Sequence, residues 1–208
     1  MDGVFMRKIL KRLLFCSLLT VFCWSWTIFA NRHQLSHELI RFHVLANSNS
    51  DADQQIKLHV RDAVLESIQN DLQNISDFSE ARCYLQDSIQ KIELVANRIL
   101  EELNVDQKAQ VSFCRESYDT RCYNTFTLPA GFYDSLRIVI GDGNGENWWC
   151  VAFPTLCMPA TSEEFEAVAA DAGLSDTLVS TLSDRKNHRF RFFLLDAIGK
   201  VENKVLQG

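Results

Sequence analysis

The sequence predicts an α+β fold: a single exported domain with a mainly antiparallel sheet and two long amphipathic helices, preceded by an N-terminal hydrophobic helix. Three observations point there. Residues 13–30 contain no charge and follow a cationic flank. Residues 51–103 repeat apolar side chains at steps of three and four, the period of a helix. From residue 109 the repeat shortens to two, the period of a strand, in short segments separated by turn residues. With 208 residues, of which 47% are hydrophobic and 23% charged, the chain has ample apolar material for one core, which excludes disordered, collagen-like and polytopic membrane readings.

The hydrophobic segment LLFCSLLTVFCWSWTIFA follows Arg7, Lys8, Lys11 and Arg12. About 7–15 apolar residues suit a cleaved signal peptide and about 17–25 suit a spanning helix, so residues 1–30 read as a signal peptide or a signal anchor. In either case the positive flank stays cytoplasmic, residues 31–208 are translocated, and an uncleaved chain would associate with the membrane through residues 13–30. Within the body, Ile40, Phe42 and Val44 alternate with Leu39 and Leu45 on the other parity, which predicts a strand over 39–46 buried on both faces. NSNSDAD follows, with Ser50 as N-cap and Asp51 and Asp53 in the first turn of a helix. Ile56, Val60, Val64 and Ile68 carry that helix to about Asp71.

A second helix is expected as one continuous element over 77–103, its stripe marked by Phe78, Ala81, Leu85, Ile89, Ile92, Ala96, Ile99 and Leu103. Strands are then expected in AQVSFC (109–114), RCYNTFTL (121–128), SLRIVIG (135–141) and WWCVAF (148–153). GDGNGEN between the last two reads as a hairpin tip, where Gly141, Gly143 and Gly145 make positive φ angles available. Residues 159–187 are acidic and small and read as a loosely structured insert. A strand over 188–195 and a short helix ending near Leu206 complete the expected order.

Charge narrows the function classes. The net charge of −6 combines a balance of +3 in residues 1–30 with −9 in the rest. A body this acidic, with RKNHRFR at 185–191 as its densest basic run, lacks the concentrated cationic face that nucleic-acid binding requires. Cys16 and Cys23 lie in the hydrophobic segment, and Cys83, Cys114, Cys122, Cys150 and Cys157 in the body. Outside the cytosol pairs can persist as disulfides, so Cys150 with Cys157 and Cys114 with Cys122 are local candidates, leaving Cys83 free. Their spacings do not match structural zinc sites.

No assembled catalytic, cofactor or metal motif is legible. In the glycine cluster Glu146 stands where the third glycine of a dinucleotide fingerprint belongs, and a strand follows where a helix should. A calcium loop from Asp142 would need glycine at Asn147 and glutamate at Phe153. His33 and His37 lack the internal glutamate of a metalloprotease helix. A thiolate at Cys150 or Cys157 with His43 or His59 as base is chemically conceivable, though no spacing selects it. Two stretches are richer in polar and bulky residues than folding requires: LANSNS with Gln54, Lys57, Arg61 and Asp62, and the NWWC strand, whose adjacent tryptophans must point to opposite faces.

Those two stretches, FHVLANSNSDADQQIKLHVRDAVL (42–65) and LRIVIGDGNGENWWCVAFPTLC (136–157), together with YNTFTLPAGFYDSLRI (123–138), resemble the hallmark segments of the stage II sporulation protein R family. The resemblance implies a protein made in the forespore and exported into the space between forespore and mother cell. There it would act without an enzymatic activity or cofactor of its own. It would trigger a membrane-embedded aspartic-type protease of the mother cell, which processes the precursor of the sigma factor sigma-E. On that reading Asn47, Asn49, Asp53, Arg61, Asn147, Trp148 and Trp149 are the candidate partner-binding residues. Two other classes remain open from the sequence: an exported thiol-dependent enzyme using Cys150 or Cys157, and an anchored cell-envelope binding module.

Overall fold

The computed structural model describes residue 9 and residues 11–23, 37–123, 126–154 and 179. The chain divides into two compact units, Met1–Gln34 and Leu35–Gly208. In the first, residues 11–23 form helix α1, with Leu13, Leu14, Phe15 and Phe22 exposed. Among the described residues no helix is long and apolar enough to cross a membrane.

The second unit is α+β with a mainly antiparallel sheet. Strand β1 (Ile40–Leu45) is followed by helices α2 (Asp51–Gln73), α3 (Phe78–Asp87) and α4 (Ile89–Glu102). Then come strands β2 (Ala109–Tyr118), β3 (Arg121–Cys122), β4 (Thr127–Leu128), β5 (Gly131–Ile140) and β6 (Asn147–Phe153). The main sheet has the order β2-β5-β1-β6, and β3 and β4 form a separate two-stranded ribbon. β1 runs parallel to β5 and antiparallel to β6, while β2 is antiparallel to β5.

Helix α2 starts where its cap signals it: the Ser50 side chain accepts the Asp53 N–H and Ser50 itself is extended. Its buried stripe, Val60, Val64, Ile68 and Leu72, packs with Ile92, Ala96 and Leu100 of α4 onto one sheet face, against Phe42, Val44, Val111, Leu136 and Ile138. Each fully buried aliphatic side chain of this kind contributes about 1.5–3 kcal/mol. Helix α4 also shields the start of the β2 edge. Asn97 exchanges two hydrogen bonds with the Ala109 backbone, each 2.9 Å, and Glu93 accepts the Val111 N–H. Edge groups satisfied this way are closed to another strand.

The opposite face carries a smaller cluster of Leu39, Tyr118, Tyr133 and Val151, joined by Phe126 and Leu128 of the ribbon and by Val179. Val179 is the one described residue of the 159–187 stretch. The rest of that expected insert, the 188–195 strand and the helix ending near Leu206 lie outside the described residues.

Three expectations are corrected. The helix expected over 77–103 is two helices that meet at Ser88, which closes α3 through its N–H to the Tyr84 carbonyl and opens α4 by accepting from Ile92. The break resets the stripe to Ile92, Ala96 and Leu100 and leaves Leu103 40% exposed. The strand expected over 121–128 folds back on itself as β3 and β4, with the Tyr123 N–H bonded to the Phe126 carbonyl. Finally, β5 and β6 are not a hairpin, because β1 lies between them. Alternation identifies a strand but not its neighbour. Buried on both faces from Ile40 to Val44, β1 is the strand suited to the middle of the sheet.

Candidate functional site

Because β5 and β6 flank β1, residues 141–146 cross over the C-terminal end of β1, where the chain turns into α2. The two loops are locked together. The N–H groups of Asn144 and Gly145 donate to the carbonyls of Asn47 and Ala46, at 3.1 and 2.9 Å. Side chains of the first loop take further N–H groups of the second: Asn47 Oδ1 accepts from Asp142 at 3.1 Å and Asn49 Oδ1 from Glu146 at 2.6 Å. The glycines are there for proximity. A β-carbon on Gly145 would lie 2.3 Å from the Ser48 carbonyl oxygen, and Gly141 has φ +57° with Asn47 against it.

The first loop is braced from α2. Asp53 accepts hydrogen bonds from Ser48 Oγ and from Asn47 Nδ2, and these hold its carboxyl below the usual carboxylate range. Gln54 Nε2 donates to the Ser48 carbonyl. One turn on, the buried Lys57 ammonium donates to Gln54 Oε1 and, at 2.9 Å, to the Glu146 carbonyl, tying α2 to the crossover. Burial depresses the Lys57 pKa, against the opposing pull of Glu146. Asn47, Asn49 and Asp53 therefore spend their side chains on the joint between the loops.

The next turn of α2 presents Arg61, whose guanidinium carbon sits 4.7 Å from the centre of the Trp148 ring and whose Nε donates to Asp62 at 2.7 Å. Trp148 meets Phe42 edge-on at 5.9 Å. It is half-buried, and next to it Asn147 Oδ1 is buried without a hydrogen-bond partner among the described residues. Trp148 and Arg61 form a ledge beside the locked loops, on the helix-bearing face.

Trp149 points to the other face, as adjacent strand positions must. There it stacks on His43 with centroids 4.7 Å apart, meets Tyr118 edge-on, and carries Arg121 over its ring at 4.7 Å. His43 Nε2 is 2.8 Å from Glu116 Oε2, and Arg137 donates to the other oxygen of Glu116 at 3.3 Å. Burial works to raise the Glu116 pKa, but the His43 hydrogen bond and the neighbouring charges outweigh it and leave it lowered. Deeper on this face lies Arg41, fully buried among Tyr118, Tyr123 and Tyr133. Sequence reasoning passed over Arg41, Glu116 and Arg137, and weighed His43 only as a base for a thiolate. The available signal was two polar residues, Arg41 and His43, on one parity of a strand otherwise apolar on both.

The thiol chemistry fares poorly. Cys150 is disulfide-bonded, and its candidate partner Cys157 lies outside the described residues. Cys150 pairs with Phe42 and Trp149 with His43 in the β1–β6 register, so Cys150 and His43 face opposite sides of the sheet. The expected Cys114–Cys122 bridge is corrected: both thiols are free, as is Cys83. Cys114 sits within β2 opposite Ser135 and Cys122 in the separate ribbon opposite Thr127. Burial, aided by Glu116, raises the Cys114 pKa, the wrong direction for a nucleophile.

A family model described as stage II sporulation protein R matches residues 36–163. The chain belongs to the stage II sporulation protein R family. A relative bearing that name in Bacillus subtilis (strain 168) is 40% identical over 120 residues, which are 58% of this chain and 54% of the relative. The match thus spans about half of the relative's length. No solved structure matches the chain. The part that the family model covers runs through β1 to β6 and so includes both locked loops, the Trp148–Arg61 ledge and the Arg41 cluster. The family takes its name from a stage of sporulation and not from a reaction.

Proposed function

We infer that this member of the family is an exported forespore-to-mother-cell signal. It switches on a membrane-embedded aspartic-type protease of the mother cell, which then processes the sigma-E precursor. The observation that carries this reading is the joining of the two hallmark segments, through contacts 95 and 97 residues apart in sequence, into one unit. That unit sets an arginine-capped tryptophan beside it. A half-buried tryptophan under an arginine on a braced support is the composition of a protein-binding hot spot. Asn47, Asn49 and Asp53 act here as positioning residues, and Arg61 and Trp148 as the contacting ones. Asn147 and Trp149 border the same strand end. A ligand of this kind works by binding the active state of its target more tightly than the inactive one.

Membrane delivery rests on the cationic flank and apolar run of residues 1–30, acting as a cleaved signal or as an anchor. N-terminal sequencing of the exported protein distinguishes the two. The test of function is co-expression of the chain with the protease and its precursor substrate in a cell lacking other sporulation factors. Precursor shortening that depends on this chain is the expected result. Unprocessed precursor, with all three proteins present and folded, would overturn the reading.

A further inference from the structure

Arg41 is fully buried, and its surroundings do not balance its charge. Its Nη2 donates to Tyr123 Oη at 3.0 Å, but among the described residues Nε and Nη1 have no hydrogen-bond partner. Among the described residues no carboxylate forms an ion pair with it. The neighbours are phenol rings, with Tyr118 4.2 Å, Tyr133 5.3 Å and Tyr123 6.0 Å from the guanidinium carbon. Two of their hydroxyls are engaged elsewhere, Tyr118 with Ser135 and Tyr133 with the Pro129 carbonyl. Burial raises the pKa of Tyr118 and Tyr123, so neither supplies a negative charge near neutrality. Ring faces attract a cation, yet they leave its in-plane N–H groups unanswered. A buried charge without a hydrogen-bonded counter-charge is strongly unfavourable and demands a partner.

We propose that the Arg41 guanidinium, with the Tyr123 hydroxyl beside it, is a binding site for a single carboxylate group that enters beneath the β3–β4 ribbon. One guanidinium calls for a monovalent anion, since a dianion would only reverse the sign of the buried charge. The planar, delocalised donor set of arginine matches the flat carboxylate. The ribbon provides the route. It is two residues long on each strand, and it lays Tyr123 over Arg41 with Phe126 stacked on Tyr123 at 4.6 Å. The ribbon is separate from the four-stranded sheet, so displacing it leaves that sheet's strand pairing intact.

The carboxylate could belong to a small free acid or to an acidic side chain of a polypeptide, and two probes separate these sources. Thermal unfolding of the purified full-length chain is followed near pH 7 in sodium acetate, in sodium chloride of equal ionic strength, and in chloride with a short polyglutamate peptide. Ligand linkage predicts a rise of about 5 °C at a saturating concentration of the right probe over chloride alone. Arg41→Met, which replaces the buried cation by an apolar chain of similar length, should fold and lose the rise. Arg41→Lys keeps the charge but not the fork, and should need at least about tenfold more probe for the same shift. A rise with acetate assigns the site to a free acid, and a rise with the peptide alone assigns it to an acidic polypeptide. No rise with either probe, or a rise that survives unchanged in both variants, overturns the proposal. The readout is independent of protease activation, so its failure and the failure of the signalling role are separable.

Discussion

The carboxamide of Asn47 stands against Gly141, with its oxygen 2.3 Å from where a β-carbon on that glycine would lie. The same oxygen accepts the Asp142 N–H, and the amide nitrogen donates to Asp53. One side chain thus joins the β1–α2 turn, the β5–β6 crossover and the first turn of α2. This contact makes the two hallmark segments one object.

The lock should be intolerant of bulk at Gly145, where the obstacle is the Ser48 backbone and not a movable side chain. Gly145→Ala is expected to destabilise the domain by about 1–3 kcal/mol, the range for overpacking. Asn47→Ala, which removes the acceptor of the Asp142 N–H and a donor to Asp53, should cost about the same. Denaturant unfolding measures both, and a change below a few tenths of a kcal/mol would show that the loops are not mechanically coupled.

Arg61 and Trp148 should behave differently. Their cation–π contact is worth only about 0.5–1 kcal/mol at a partly exposed site, so Arg61→Ala and Trp148→Ala should remain folded. If they form the hot spot, precursor processing should fall about tenfold or more at equal levels of exported protein. Full processing by a folded Trp148→Ala chain would remove the ledge from the interface.

Glu116 gives the expected acid response. Its carboxyl is lowered in the folded state, so the folded protein binds fewer protons there than the unfolded chain does, and stability grows with pH across that interval. The contribution is complete above the ordinary glutamate pKa and is lost as pH falls through the lowered one. Glu116→Gln should cost about 1–3 kcal/mol at neutral pH and flatten the acid limb of a stability-versus-pH curve. A variant whose acid limb matches that of the parent would show that the His43–Glu116 contact is energetically silent.

Cys150→Ser should lower stability by about 2–4 kcal/mol through loss of the disulfide while retaining processing in proportion to the folded fraction. Complete loss of processing in a demonstrably folded Cys150→Ser protein would revive the thiol-enzyme reading. Mapping of non-reduced peptides identifies the partner sulfur.

Much of the local structure was legible from side-chain order alone. Ser50 with Asp51 and Asp53 marked the start of α2 because a cap acts within one turn of itself. The period-two run beginning at Ala109 marked β2, and the adjacent tryptophans were bound to part to opposite faces. Ser88 shows the limit of such reading. A stripe that steps by three or four looks the same whether one helix or two carry it, and only packing against α2 and the sheet reveals the break.

What the sequence determined by itself was the α+β class, the starts of α2 and α3, the strand periods and the family, each written in residues within a few positions of one another. Only the tertiary structure decided that β1 enters between β5 and β6, and the rest follows from that insertion. It turns an apparent hairpin tip into a crossover clamped by Asn47 and Asn49, places Trp148 under Arg61, and encloses Arg41 among Tyr118 of β2, Tyr133 of β5 and Tyr123, which follows β3. Strand neighbours are chosen by burial summed over the whole sheet, among residues that stand ninety positions apart, and no local pattern encodes that sum.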